Sequence, residues 1–150
     1  MNNGFQCQGF QTWSKDGRNC VLLKDADYLT VAGKLFRIPA GATSDGASTP
    51  QAIWNIIPPF GGHYWQAAFL HDAAYRDTLL WLNPSEVWQR ATLAKDECDL
   101  LLLEAMTLLG AGKLERDTIY EGVIIGGTAS FFNDRAAGWT AYMVDVATLA

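Results

Sequence analysis

The chain has 150 residues, of which 49% are hydrophobic and 18% charged, and its formal net charge is −5. This balance excludes an intrinsically disordered protein, which would contain far fewer apolar residues, and the length suits a single domain over residues 1–150. The acidic charge argues against duplex nucleic acid as a partner, because phosphate binding needs a basic surface.

Targeting signals and cysteine usage indicate the compartment. No apolar run reaches the roughly 18 residues of a membrane-spanning helix, and the first residues lack the basic and apolar regions of a signal peptide. We therefore expect no transmembrane segment and a location in a cytoplasm, where thiols stay reduced. Cys7, Cys20 and Cys98 lack the CxxC spacing of a zinc site, so we expect three free thiols. A Cys7–Cys20 disulfide is the alternative if their two segments pair as strands.

The N-terminal part of the chain predicts four short strands. Each is rich in β-branched, aromatic or leucine side chains, and they cover residues 9–14, 19–23, 28–31 and 34–38. Asp16-Gly17 suits a tight hairpin turn between the first two strands, and Gly33 separates the last two. Pro39 ends the fourth strand, and a small, polar, glycine-rich loop follows over residues 40–50.

The remainder of the chain predicts helices. A short helical turn over residues 51–57 and a Pro/Gly break over 57–62 precede three helices over 64–80, 84–109 and 115–132. Pro84 and Ser85 favour the start of the second helix, and Gly110 favours its end. The pattern over residues 136–150 leaves its structure open. The predicted fold is α+β, with a small N-terminal antiparallel sheet (about 1–40) followed by a bundle of about three helices (about 51–135).

A histidine in the middle of the first predicted helix is the first candidate site residue. His71 shares a helix face with Ala67, Ala74 and Tyr75, because residues three or four apart are neighbours. Asp99 lies on an apolar stripe of the second predicted helix, where a carboxylate needs a partner. Since helices joined by a short turn pack antiparallel, we predict that Asp99 binds His71. Such a pair either activates water as a general base or only locks two helices together, and the sequence leaves both roles open.

The loop that contains Asp45 and Gly46 is the second candidate. Its hydroxyl and carboxylate oxygens suit a hard cation, and its glycine-containing backbone suits an oxyanion, although the spacing is not that of an EF-hand. An Asp-Gly turn, with Ser48 or Thr49 capping the following helix, is the alternative.

Two motifs in this order carry a resemblance to a known family. They are Asp45-Gly46-Ala47-Ser48 and His71-Asp72-x-x-Tyr75, followed by Asp99 in its apolar helix. They resemble a phage-encoded family known as domain of unknown function 1353, with a likeness over about residues 28–130. Ser44 and Lys95 depart from the family, in which we expect Thr and Arg. The resemblance implies no activity, but it implies a phage or prophage origin, the host cytoplasm or the virion as the setting, and a virion or host protein as partner.

The His-Asp-x-x-Tyr helix with an aspartate on a second helix is also similar to the core of viral-capsid and secreted phospholipases that cleave at the sn-2 position. This likeness implies that His71 is the base, that Asp99 orients it and that Tyr75 supports them by a hydrogen bond. It also implies a lipid or acyl substrate and a bound Ca²⁺. The implied calcium ligands are Asp72, Asp45 and Gly46.

Two functions of different classes follow from these residues. The first is a metal-assisted ester, lipid or amide hydrolase, which predicts that His71, Asp99 and the calcium ligands meet at one solvent-open pocket. The alternative is a non-catalytic phage virion accessory or host-factor-binding protein. It predicts a sealed His–Asp pair and an exposed apolar patch of tryptophans.

Overall fold

Strands occur further along the chain than the sequence pattern predicts. The computed structural model describes residues 1–17, 19–45 and 64–149, and in this part eight strands form two antiparallel sheets beside five α-helices. The predicted α+β class is confirmed. The predicted layout is wrong in two respects, because strands also lie beyond residue 40 and the helices number more than about three. In chain order the strands are β1 (Gly4–Phe5), β2 (Thr12–Ser14), β3 (Cys20–Leu22), β4 (Ala26–Leu29), β5 (Leu35–Ile38), β6 (Thr43–Ser44), β7 (Leu80–Leu82) and β8 (Trp88–Arg90). The helices are α1 (Trp65–Tyr75), α2 (Lys95–Leu108), α3 (Lys113–Gly126), α4 (Thr128–Ala137) and α5 (Trp139–Tyr142), and a 3₁₀ turn spans Val146–Thr148.

The larger sheet has the strand order β1-β4-β5-β7-β8, and all neighbouring strands are antiparallel. In β4 and β5 buried and half-buried residues alternate, as expected of strands with one face on the core. Tyr28 pairs with Phe36 on the buried face. Asp27 pairs with Arg37 on the other face, where the guanidinium donates to both carboxylate oxygens at 2.6 and 2.9 Å. These cross-strand pairs stabilise the register.

The smaller sheet has the order β2-β3-β6 and brings the start of the predicted loop into the fold. β2, β3 and β5 lie within their predicted segments, whereas β4 begins two residues before its prediction. β6 lies inside the predicted loop 40–50 and pairs with Cys20 and Val21 of β3. The rest of that loop from Gly46, the turn predicted over 51–57 and the break over 57–62 lie outside the described residues.

The first helix ends earlier than predicted. α1 stops at Tyr75 rather than at residue 80, because Asp77 adopts a left-handed conformation with φ of 59°. The amide of Thr78 then donates to the carbonyl of Ala73 at 2.9 Å, which closes the last turn. The chain is thereby released into an extended segment that becomes β7.

A β-hairpin, rather than a helix, precedes α2. The side-chain oxygen of Asn83 accepts hydrogen bonds from the amides of Ser85 and Val87 at 2.9 and 3.0 Å. This side-chain turn joins β7 to β8, so Pro84 belongs to a turn and not to a helix start. α2 consequently begins at Lys95 instead of residue 84.

The third predicted helix, residues 115–132, is two helices with Gly127 between them. The stretch over 136–150 that the sequence left open contains the end of α4, α5 and a 3₁₀ turn, as far as residue 149. Its backbone returns to the segment before β6, where the amide of Val144 donates to the carbonyl of Gly41 at 2.9 Å and Met143 forms an isolated bridge with Ala42.

α1 lies at the centre of the core. All of its residues from 69 to 75 are buried, because α2, α4 and β6 pack against different sides of it. A helix enclosed in this way holds its polar side chains out of water, where each of them needs a hydrogen-bonding partner. The hydrogen-bonding partners of the buried His71 and Asp72 therefore determine which chemistry these side chains can perform.

The surface carries scattered apolar residues and no tryptophan patch in the described ranges, where each of the five tryptophans is half-buried. Apart from Met1, the most exposed large apolar side chains there are Leu114 and Ile125 of α3, at 82% and 83%, and Phe132 of α4, at 64%. None of the helices in these ranges is long and apolar enough to span a bilayer.

Candidate functional site

The packing of α1 against α2 brings His71 and Asp99 into contact. The Nε2 atom of His71 lies 2.8 Å from Oδ1 of Asp99, and each side chain is 2% exposed. The two helices are joined through the β7–β8 hairpin and not by the short turn that the sequence pattern implied. The predicted pair thus lies together, but through a different connection.

Asp99 is held by three donors at once. Tyr75 donates its hydroxyl to the same Oδ1 at 2.6 Å, and Lys95 donates its ammonium to Oδ2 at 2.7 Å. Burial by itself raises the pKa of Asp99, but the hydrogen bonds of the three donors outweigh it and hold this pKa below its ordinary value of 3.8. Asp99 is therefore a carboxylate at neutral pH. Burial and the hydrogen bond to Asp99 raise the pKa of Tyr75, whose hydroxyl stays protonated.

The charge of Asp99 determines where the proton of a neutral His71 sits. A carboxylate only accepts hydrogen bonds, so Nε2 of His71 carries the hydrogen and Nδ1 keeps its lone pair. Within the described residues no hydrogen bond reaches Nδ1. The ring lies against that of Tyr75, with centroids 4.1 Å apart, which limits its rotation. Nδ1 is consequently the atom that can accept a proton from water or a ligand.

Lys95 is a site residue to which the sequence pattern assigned no role. It lies one helical turn before Asp99 and also donates to the carbonyl of Val123 in α3, at 3.0 Å. Its side chain is 20% exposed. A lysine four residues before a carboxylate on an apolar stripe has the spacing of a helical ion pair, and this was the signal that could have identified it.

A groove of about 440 Å³ between α2 and α3 reaches the buried network. It is lined by Lys95, Asp96, Asp99, Tyr120 and Ile124. The Asp99 side of the His–Asp pair therefore borders solvent, although the side chain itself is almost fully buried.

Gly127 allows the start of α4 to approach the network. A Cβ atom at this position would lie 2.7 Å from the hydroxyl oxygen of Tyr75 and would also collide with the carbonyl oxygen of Val123. Further along α4, Arg135 donates to the carbonyls of Ala74 and Tyr75, both at 3.0 Å. The absence of a side chain at Gly127 therefore leaves room for the Tyr75 hydroxyl.

The neighbouring polar residues of α1 contact β6 instead of α2. Asp72 accepts a hydrogen bond from the hydroxyl of Ser44 at 2.5 Å. Arg76 forms an ion pair with Asp45 at 3.1 Å and donates to the carbonyl of Thr43 at 2.9 Å. Of the predicted calcium ligands, Asp45 and Asp72 therefore lie on the β6 side of α1, and the His–Asp pair lies on its α2 side.

The described residues do not by themselves fit a calcium site. Ca²⁺ takes about six to eight oxygen ligands, and no group of three His, Cys, Asp or Glu side chains gathers for a metal in the described ranges. The guanidinium of Arg76, which is paired with Asp45, already supplies a positive charge beside this carboxylate. Gly46 lies outside the described residues, so the calcium site of Asp45, Gly46 and Asp72 stays a prediction.

The cysteines do not extend the site. Cys98 follows Glu97 and precedes Asp99 in α2, and burial raises the pKa of its thiol to about 12, against the effect of nearby Arg135. This thiol stays protonated at neutral pH and is a poor nucleophile. All three cysteines are free, so the alternative of a Cys7–Cys20 disulfide is wrong.

Comparisons with known proteins give a family and one partial relative. A family model described as "Protein of unknown function (DUF1353)" matches residues 20–123, a segment that contains His71, Lys95 and Asp99. The chain is 46% identical over 41 residues to "Uncharacterized protein y4jT" of Sinorhizobium fredii (strain NBRC 101917 / NGR234). That match covers 27% of this chain and 12% of the relative, so the chain spans only a small part of the relative's length. No solved structure matches the chain significantly.

Proposed function

Because the chain belongs to the DUF1353 family, whose description states no activity, we propose its function from the site itself. The proposal is a hydrolase of ester, lipid or amide bonds in which His71 acts as a general base. The observation that carries it is the 2.8 Å contact between Nε2 of His71 and Asp99, because it leaves Nδ1 as a proton acceptor.

In the proposed step, Nδ1 of His71 takes a proton from a water molecule while the water oxygen attacks the carbonyl carbon of the substrate. The imidazolium that forms lies against the carboxylate of Asp99, which stabilises the new charge. The same proton then passes to the leaving alkoxide or amine, and His71 returns to its neutral form. Asp99 orients the ring without taking a proton, because its three donors keep its pKa low.

A lipid or acyl ester is the substrate class proposed first, on the likeness of the helix motif to that of sn-2 phospholipases. A Ca²⁺ bound by Asp45, Gly46 and Asp72 belongs to the same proposal as a separate element, and none of the proton transfers above depends on it.

The test is hydrolysis of p-nitrophenyl acyl esters and of phosphatidylcholine vesicles with a fluorogenic sn-2 chain, each with added CaCl₂ and with EDTA. His71→Gln removes the base and should lower the rate by about 10²–10⁴-fold. His63→Gln is the matched control, since the chain has two histidines. Circular dichroism verifies that both variants fold.

Two results would contradict the hydrolase. One is a wild-type protein that cleaves none of these substrates, and the other is a His71→Gln variant as active as His63→Gln. Equal rates in CaCl₂ and EDTA would remove only the calcium from the proposal.

A second candidate is a non-catalytic phage virion accessory or host-factor-binding protein. Its candidate contact residues are Ile125 and Phe132, which are 83% and 64% exposed and are of the apolar kind found at the centre of protein interfaces. The test compares wild type and Ile125→Ser for retention of purified virions or host proteins. A monomer that retains neither, or an Ile125→Ser variant that retains them equally well, contradicts this candidate.

A further inference from the structure

We propose that a groove between α2 and the turn joining β4 to β5 is a docking site for a basic, amphipathic helix of a partner protein. This docking groove has a volume of about 280 Å³, and it shares no lining residue with the groove between α2 and α3. The proposal goes beyond the hydrolase and is independent of it, because neither His71 nor Asp99 lines the docking groove.

The middle of the docking groove is apolar. The buried side chains of Phe36 and Leu101 line it, and Leu100 beside them is 53% exposed. Val31, in the β4–β5 turn, is 60% exposed, and its amide donates to the groove residue Glu104. Two large exposed apolar side chains at one apolar cleft offer a partner a hydrophobic contact, since docking would remove both from water.

Two acidic side chains of α2 lie at the ends of this apolar stretch. Glu97 and Glu104 are seven residues apart, so they lie on the same face of α2, about 10 Å from each other along the helix axis. Leu100 and Leu101 lie between them on that face. The order along the groove is therefore acidic, apolar, acidic.

Hydrogen bonds hold both carboxylates in place. Oε1 of Glu104 accepts from the hydroxyl of the fully buried Tyr28 at 2.8 Å and from the amide of Val31 at 3.2 Å. Oε1 of Glu97 accepts from the amide of Ala94 at 3.2 Å. In the described part of the chain, Oε2 of each glutamate accepts no hydrogen bond. Each glutamate is therefore a preorganised acceptor for a lysine or arginine side chain.

The charge of the docking groove favours a basic occupant. Lys34 is the cation that lines it, and its ammonium lies over the ring of Trp81, 4.4 Å from the centroid. Two glutamates and one lysine give the lining a net charge of −1, in a chain whose formal net charge is −5. The same groove of a second copy would bring four glutamates together, and residues 46–63 of this chain contain no lysine or arginine. A basic segment of another protein matches the charge better than either of these.

The spacing of the two glutamates favours a helix as the occupant. A helix that lies along α2 with basic side chains seven residues apart would place one at Glu97 and the other at Glu104. An apolar side chain three or four residues from each would then contact Leu100. Such anchors at i, i+3 or i+4, and i+7 are typical of amphipathic helices bound in grooves.

The experiment measures binding of a fluorescein-labelled peptide to the full chain by fluorescence anisotropy. The probe is a peptide of about 14 residues made of leucine and lysine at helical spacing. Its counterpart has glutamate in place of every lysine. The basic peptide should bind saturably, and its affinity should fall as NaCl is added, whereas the acidic counterpart should not bind.

Variants of the groove locate the binding. Leu100→Ser should weaken binding about tenfold, because it removes the central apolar contact. The double variant Glu97→Gln with Glu104→Gln should weaken it about tenfold as well, since it removes both charges and keeps the oxygens that accept the local hydrogen bonds. Circular dichroism verifies folding, and Leu100→Gln, a better helix former, replaces the serine variant if that one does not fold.

The matched controls lie on α3. Leu114→Ser removes a leucine that is 82% exposed, and the double variant Glu115→Gln with Glu121→Gln removes two exposed negative charges. Both should bind the basic peptide as tightly as the wild type does.

Three results would overturn the inference. The first is a basic peptide that does not bind, or an acidic one that binds equally well. The second is a groove variant that binds as tightly as its control on α3. The third comes from sedimentation equilibrium, where a dimer that Leu100→Ser converts to a monomer would mean that a second copy of the chain occupies the groove.

Discussion

Replacing Tyr75 with phenylalanine tests whether Asp99 depends on all three donors. The hydroxyl of Tyr75 donates to Oδ1 at 2.6 Å, and the two residues are 1% and 2% exposed, so water cannot replace the lost bond. A hydrogen bond to a charged acceptor contributes about 1.5–3 kcal/mol. Asp99 keeps its contacts with His71 and Lys95, which limits the loss to one bond. We therefore expect Tyr75→Phe to lower the free energy of unfolding by about 2 kcal/mol.

The assay is urea unfolding followed by tryptophan fluorescence, together with thermal unfolding. For a chain of this size a loss of about 2 kcal/mol corresponds to a fall in Tm of roughly 4–8 °C. Tyr120→Phe is the matched control, because Tyr120 is half-buried at the groove and its hydroxyl has no hydrogen bond within the described part of the chain. It should cost less than about 0.5 kcal/mol. Equal stability of the two variants would refute the reasoning.

Two further predictions concern the backbone and the charge of the site. Gly41→Ala should cost about 2 kcal/mol or more in urea unfolding, because a Cβ at φ of 96° would also collide with the returning C-terminal segment. Gly33→Ala, at φ of 91° in open space, should lower the free energy of unfolding by only about 1 kcal/mol. Equal losses in the two variants would exclude a collision of the Cβ at position 41 with the C-terminal segment. Since folding lowers the pKa of Asp99 below 3.8, its charged form stabilises the protein above that pH and loses this effect as pH falls through the lowered pKa. The stability gap between wild type and Asp99→Asn should narrow below about pH 4, and a constant gap would contradict this.

The meeting of His71 and Asp99 was predictable because each residue carries a local signal. Helix periodicity places His71 on a face with small residues, and an acidic side chain on an apolar stripe requires a partner. The position of Tyr75 one turn after His71 follows from the same periodicity. Local spacing also places Lys95 one helical turn before Asp99, but it could not show that the carbonyl of Val123, in another helix, would hold the ammonium of Lys95.

The β7–β8 hairpin shows why the predicted helices were too long. The segment Leu80–Leu82 is apolar throughout, and such a short run fits a helix or a buried strand equally well. This segment is a strand because it pairs with β5, whose Phe36 lies opposite Trp81 in the larger sheet. Local periodicity cannot predict a strand partner that is more than forty residues away in the chain.

Composition and spacing were sufficient to predict an α+β chain and a contact between His71 and Asp99, and they favoured free thiols over a Cys7–Cys20 disulfide. The tertiary structure decided which helix and strand each polar side chain of α1 contacts, so that His71 faces α2 and Asp72 faces β6. The reason is that hydrophobic periodicity depends only on residues that are close together in the chain. Burial, charge compensation and the room left by Gly127 depend on segments that are distant in the chain and meet only when it packs.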